Sequence, residues 1–326
     1  MVFVSQAAFD PIFWLHHCNV DRLMAMYQAS HPGLVVIPGP RSPTQALGGP
    51  GPDDISTPLY PFRHPDAKEW TSNDVSTAES IFTYGYAYPE VQPSSGSSAS
   101  LQTQATQKVN ELYGPDLNSH SFQGVDSGAP QTPTARLEWS ANVQCDMSEL
   151  SGPHQILIYI GPYDKSSPDN YADVSKLAGT AAIFSGSQMP ISSPNKLLNI
   201  SVPLTESLIQ ESTPLHPQAV VPKLADQLHW VVQKVGEGSY DTIPTTDLPS
   251  LKIALISHLA SYSPDKSQLP QKSDAQTHPD ATAGKEGGLQ AGQAPPVGYT
   301  APQVLNGTLP TNSTGGSDVA APSARK

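Results

Sequence analysis

The chain has 326 residues, enough for about two domains, and its 17 basic against 29 acidic side chains leave a net charge of −12. That balance excludes a general nucleic-acid or anionic-membrane binder, which needs a basic face. Two cysteines exclude a disulfide-dense scaffold, and no apolar run approaches the roughly 18 residues that span a bilayer. With charged residues at 14% and 34 prolines, a folded part diluted by irregular segments is expected.

The first residues run straight into Phe9-Asp10-Pro11-Ile12-Phe13-Trp14-Leu15-His16-His17, a dense, core-like segment. It has no basic n-region and carries Asp10, so no signal peptide is expected, and the chain reads as beginning inside a folded domain. Asp10-Pro11 predicts a helix start, with Asp10 as N-cap and proline at the first helical position. Phe13, His17, Val20, Met24 and Tyr27 follow at spacings of three and four, so one helical stripe is apolar except for His17, and Pro32-Gly33 ends the helix. Residues 38–61 read as an extended loop and Asp74 to Ser80 as a short helix. Tyr84, Tyr86 and Tyr88 alternate as on a strand.

Residues 91–133 are dominated by Ser, Gln, Thr, Gly and Pro, and read as a linker with one possible helical turn at Val109–Tyr113. From residue 134 a β pattern begins. Leu137, Trp139, Ala141, Val143 and Cys145 alternate with mostly polar residues, the mark of a half-buried strand. Ile156 to Ile160 is continuously apolar, as in a strand covered on both faces. Further candidates at 181–184, 197–202, 228–235 and 251–256 favour an antiparallel sandwich over 134–263. Residues 264–326 lose aromatic and β-branched density and are expected to be a disordered low-complexity tail.

One segment carries chemistry. A neutral imidazole is a good ligand for copper, zinc or iron, and His16-His17 sits on a helix in apolar surroundings. Adjacent helical residues point about 100° apart, so one ion takes only one of the two. Asp21, four residues after His17, lies on the same face, where it can orient a ligand ring or pair with Arg22. A bare pair of this kind is more often a buried histidine satisfied by hydrogen bonds.

The whole string Asp10-Pro11-Ile12-Phe13-Trp14-Leu15-His16-His17-Cys18-Asn19-Val20-Asp21-Arg22 closely resembles the second-copper signature of tyrosinases, within the type 3 copper proteins, and fungal tyrosinases most of all. Thr57–Phe62 with Trp70-Thr71-Ser72 looks like the end of that copper domain. Tyr84-Gly85-Tyr86-Ala87-Tyr88 is similar to its closing tyrosine motif, with the pair left open between Tyr84/Tyr86 and Tyr86/Tyr88. Residues 134–263 look like the fungal C-terminal domain through Leu137-Glu138-Trp139 and Leu228-His229-Trp230.

The resemblance implies a mixed α and β fold. Residues 1–90 would be a remnant of a type 3 copper four-helix-bundle domain, followed by the linker and the antiparallel β-sandwich. It implies His17 as a copper ligand, His16 as its packing neighbour, Phe13 beside the ligand ring, and Asp21 and Arg22 holding the helix. Tyr84, Tyr86 and Tyr88 are structural under either reading. It also implies two copper ions, phenolic substrates and dioxygen, with monophenols and o-diphenols oxidised to o-quinones that polymerise to melanin.

The family site takes three imidazoles per copper, two of those at the second copper from a helical His-x-x-x-His. None of the ten histidines here stands four residues from another, so the chain is expected to supply one ligand of six and to be inactive by itself. The alternatives are a non-catalytic β-domain protein that shields a partner copper domain, and an oxygen carrier of the haemocyanin type. The low cysteine count tilts the expected location to the cytoplasm.

Overall fold

The computed structural model describes residues 7–32, 38–40, 52–93, 98–117, 134–146, 149–150, 152–161, 174–183, 197–236 and 239–296. It contains helices packed beside two antiparallel sheets.

Helix α1 (Pro11–Ser30) starts as predicted: the Asp10 carboxylate accepts from the Ile12 N–H at 3.0 Å, and Pro11 costs no backbone bond at the first position. Val20 and Met24 of the apolar stripe stay 46% and 49% exposed, while Ala25, Met26, Ala29 and Ser30 are covered. Small residues set the covered face. Ala25 and Ala29 admit a close neighbour, helix α3 (Ser98–Tyr113), through its own Leu101 and Ala105.

That neighbour corrects the linker assignment for 91–133. The segment contains a helix of 16 residues, visible in sequence only as its last turn. Thr103, Gln104 and Gln107 face solvent, and the few apolar residues, Leu101, Ala105 and Val109, line a single seam beside the buried Thr106. The tyrosine segment is likewise not a strand. Helix α2 (Ser80–Thr83) leads into a turn at Gly85, whose φ of +83° suits glycine, and Tyr88 closes back on Val91. The predicted helix at 74–80 is a short 3-10 turn, Ser72–Val75, capped by Asp74 on Thr71, with α2 beginning at its far end. The 38–61 region carries two small ladders: β1 (Gly39–Pro40) with β2 (Pro52–Asp53), and β3 (Pro58–Arg63) with β4 (Glu69–Thr71).

The sandwich is built from β5 (Thr134–Asp146), β6 (His154–Ile160), β7 (Leu177–Ile183), β8 (Leu197–Pro203), β9 (Leu228–Val235), β10 (Tyr240–Ile243) and β11 (Lys252–Tyr262). One sheet runs β10-β9-β6-β7. The other runs β11-β5-β8, with β12 (Gln271–Lys272) and β13 (Gln276–Thr277) both on the far edge of β11. Alternation on β5 turns Trp139, Ala141, Val143 and Cys145 inward to 1% exposure or less. The apolar run of β6 is covered on both faces, as its composition predicts: Ile156 and Ile158 face the inner core, and Leu157 and Tyr159 pack outside on Val231. Helices α4 (Thr205–Gln210) and α5 (Pro217–Gln227), absent from the sequence reading, close one end with Leu208, Val220 and Leu224. Each such buried aliphatic contributes about 1.5–3 kcal/mol.

Residues 264–296 are not a disordered tail. They run back along β11, pair with it twice, and lock through Leu289 N–H to Ile253 O at 2.9 Å and Ile253 N–H to Gly287 O at 2.8 Å. Backbone pairing of an edge needs few apolar side chains, which is why composition hides it. Gly288 is needed for the close approach, since a Cβ there would lie 2.2 Å from Thr282 O. Residues 297–326 lie outside the described residues.

Candidate functional site

His16 and His17 are exposed on α1, in the middle of an uncovered apolar surface formed by Phe9, Ile12, Trp14, Leu15, Val20, Leu23 and Met24. The His17 Nδ1 lies 2.7 Å from Phe13 O, one turn back, and a carbonyl only accepts, so the proton is on Nδ1 and the Nε2 lone pair is free. The Phe13 ring lies against the imidazole, centroids 4.0 Å apart. A backbone carbonyl that fixes the tautomer and a ring that fixes the tilt are what a metal-binding histidine requires. His16 meets His17 edge-on at 5.3 Å and has the character of a neighbour.

Asp21 neither bonds the His17 ring nor pairs with Arg22. It accepts from the Tyr88 hydroxyl at 2.5 Å, and that hydroxyl also reaches Cys18 O at 3.4 Å. Burial and the Asp21 carboxylate together raise the Tyr88 hydroxyl above the ordinary phenol range. Arg22 forms a two-pronged pair with Glu90, 2.6 and 3.0 Å, and donates to Tyr113 Oη at 3.3 Å. This pair raises the guanidinium and holds Glu90 below the usual carboxylate range. Asp21 and Arg22 thus pin α1 against the 86–90 turn.

The three tyrosines divide between two clusters. Tyr86 and Tyr88 meet edge to face at 5.8 Å beside Asp21. Tyr84 belongs elsewhere, against Trp70 at 4.9 Å, in a cluster the sequence reading missed: His64 stacks on Trp70 at 4.2 Å with Nε2 3.5 Å from Asp74.

The remaining described histidines serve structure. His31 bonds Tyr27 O at the end of α1, His154 bonds Gly152 O, and His278 shares a hydrogen bond of 2.7 Å with Ser257. Burial lowers His154, His229 and His278 and keeps them neutral. Among the described residues no three His, Cys, Asp or Glu side chains converge as a metal site. Among the described residues the side chains do not fit a copper pair. An open cleft of about 840 Å³ lies on the sandwich beside Trp230, Ile243, Pro244 and Lys285, and no residue of α1 lines it. No helix among the described residues is long and apolar enough to cross a membrane.

Comparison with known proteins points to one family. Residues 138–255 match the tyrosinase C-terminal domain, and residues 1–30 match the common central domain of tyrosinase. A tyrosinase of Podospora anserina is 28% identical over 265 residues, which is 63% of this chain and 46% of that protein. One of Neurospora crassa is 38% identical over 127 residues, 38% of this chain and 18% of that protein. Polyphenol oxidase 3 of Agaricus bisporus is 33% identical over 169 residues, 48% of this chain and 28% of that protein. The structure of recombinant mushroom tyrosinase superposes with a TM-score of 0.64 at 23% identity, over 83% of this chain and 49% of that chain, and shares the fold. The chain spans half or less of the length of these relatives. In both its helical and its sandwich parts the chain is similar to tyrosinases.

Proposed function

We propose that this chain is the C-terminal part of a copper-dependent phenol oxidase of the tyrosinase type, with His17 as one ligand of a two-copper site. The observation that carries this is the His17 imidazole, tied at Nδ1 to Phe13 O and open at Nε2, on a helix that matches the common central domain. Copper, when bound in the complete family site, supplies the redox chemistry that joins dioxygen to phenol oxidation. This chain's own residues do something narrower. Phe13 holds the ring and the proton of His17, Tyr88 and Glu90 hold the helix, and His16 packs beside the ligand. Substrates in this reading are monophenols and o-diphenols, converted to o-quinones and on to melanin-type pigment.

One ligand does not retain a copper pair, so residues 1–326 alone are inactive in this reading. Both cysteines are free thiols, which supports a reducing, cytoplasmic setting. The test has two arms. Residues 1–326, loaded with copper and desalted, are expected to hold no stoichiometric copper and to form no quinone from L-DOPA beyond that of free copper. A chimera with the unmatched half of a tyrosinase relative placed before residue 1 is expected to turn over. Its His17→Ala form should lose more than about a hundredfold, beyond what loss of a ligand's supporting partner costs. Full activity of the His17→Ala chimera would remove His17 from the ligand set.

A further inference from the structure

Helix α3 touches both halves of the molecule. On one side Leu101, Ala105 and the buried Thr106 pack on α1, and Gln102 Nε2 donates to Ser30 O at 3.2 Å. On the other, the Asn110 side-chain amide donates to Lys266 O at 2.7 Å and to Gln268 O at 2.8 Å, both in the segment that leaves β11. Leu117, just past the helix end, packs on Ala260 and Tyr262 of β11 itself. Three residues after Asn110, and so its neighbour on the helix surface, Tyr113 receives the Arg22 guanidinium at 3.3 Å. Arg22 is held rigid by Glu90, with side-chain exposures of 22% and 10%, and lies five residues from His17 on the same helix. Because His17 Nδ1 is bonded within α1, its ring moves with the helix and not independently of it.

We propose that α3 couples the β-sandwich to the helix that carries His16 and His17, with Asn110 and Tyr113 as its two positioning residues. Asn110 reads the 266–268 backbone, and Tyr113 passes its position to Arg22. A displacement of the sandwich edge is thereby delivered to the imidazole pair through packed helices, without the intervening chain at 118–133. The sequence offers no cue to this, since Asn110 and Tyr113 sit in a segment whose composition reads as linker.

The proposal is independent of copper, and its test uses the metal-free full chain. Amide hydrogen exchange is followed by mass spectrometry in wild type, Asn110→Ala, Asn110→Asp (same size, donors removed) and Tyr113→Phe. Among the described residues the Asn110 side-chain amide bonds the 266–268 backbone and no residue of α1, so a purely local role leaves α1 exchange unchanged. Coupling predicts that both Asn110 variants speed exchange across residues 14–26 by about fivefold, the order expected for losing one net hydrogen bond, while β5, β6 and β9 keep wild-type rates. Tyr113→Phe should give the same pattern, and combining it with Asn110→Ala should add little, as for two groups in one path. Faster exchange confined to 264–270, or equal acceleration in both halves, overturns the proposal. Either result leaves the copper reading standing, and an inactive chimera leaves this one standing.

Discussion

Helix α1 and strand β5 both carry dense apolar sequence, and their fates differ. On β5 every inward side chain meets a partner, from Trp139, whose indole N–H also donates to Leu215 O at 2.9 Å, to Cys145. On α1 only the Ala25, Met26 and Ala29 face is covered, while Trp14 and Leu15 are 61% and 67% exposed. Apolar content marks a segment as belonging in a core, but only an available partner surface turns it into stability. The same residue type should therefore carry different weight in the two places.

The sharpest way to break this contrast is a pair of tryptophan substitutions. Trp139→Ala should cost about 3–5 kcal/mol of sandwich stability in urea denaturation, because it empties a closed core and orphans the Leu215 carbonyl. Trp14→Ala should shift stability by less than about 0.5 kcal/mol and improve solubility. Equal losses would mean that the α1 surface is covered in solution. A second contrast lies in the ion pair: Arg22→Gln should cost the helical part roughly 1–3 kcal/mol, by leaving the half-buried Glu90 without its charge partner, and leave the sandwich unchanged.

The pH response should also separate the halves. His154, His229 and His278 have folded values lowered by burial, so the unfolded chain binds more protons than the folded one. Sandwich stability is then lost as pH falls from about 6.5, the ordinary histidine value, towards the lowered folded values. Glu90 is lowered by Arg22, so its contribution holds until pH falls below the ordinary carboxylate range of about 4.3 and is lost through the folded value. Between pH 7 and 5 the protection of β6 and β9 from hydrogen exchange, corrected for the pH dependence of intrinsic exchange, should fall. The smallest effect concerns the thiols. Cys18 is exposed on α1, whereas Cys145 is buried, with its thiol pushed up to about 11 by burial and nearby carboxylates. Ellman's reagent should titrate one thiol in the native chain and the second only after unfolding.

The parts legible in sequence are those where a local rule and the tertiary partner agree. Asp10-Pro11 begins a helix because capping is local, and β5, β6 and β9 appear because alternation or continuous apolarity matches what covers them. The apolar stripe of α1 was legible, but the covered face was not, since it is set by Ala25 and Ala29 meeting α3, a helix the sequence showed only as its last turn. Helix α3 was missed because its seam depends on Ala105 and Thr106, residues that are ordinary in linkers. Residues 264–296 were missed because their bonds to β11 use backbone, which every sequence carries. At the site, the string around His17 marked the segment that matches the common central domain of tyrosinase. The partners of Asp21 and Arg22, namely Tyr88, Glu90 and Tyr113, come from 67 to 91 residues away, beyond any local pattern.

The returning segment has one more consequence. β11 is 11 residues long and rich in Ile, Leu and Ala, the profile of a strand that recruits copies of itself when its outer row of amides is open. Gln271–Lys272, Gln276–Thr277 and Gly287–Leu289 occupy that row. They cover that edge, so a chain ended after Ser263 is expected to bind thioflavin and sediment more than the full chain does.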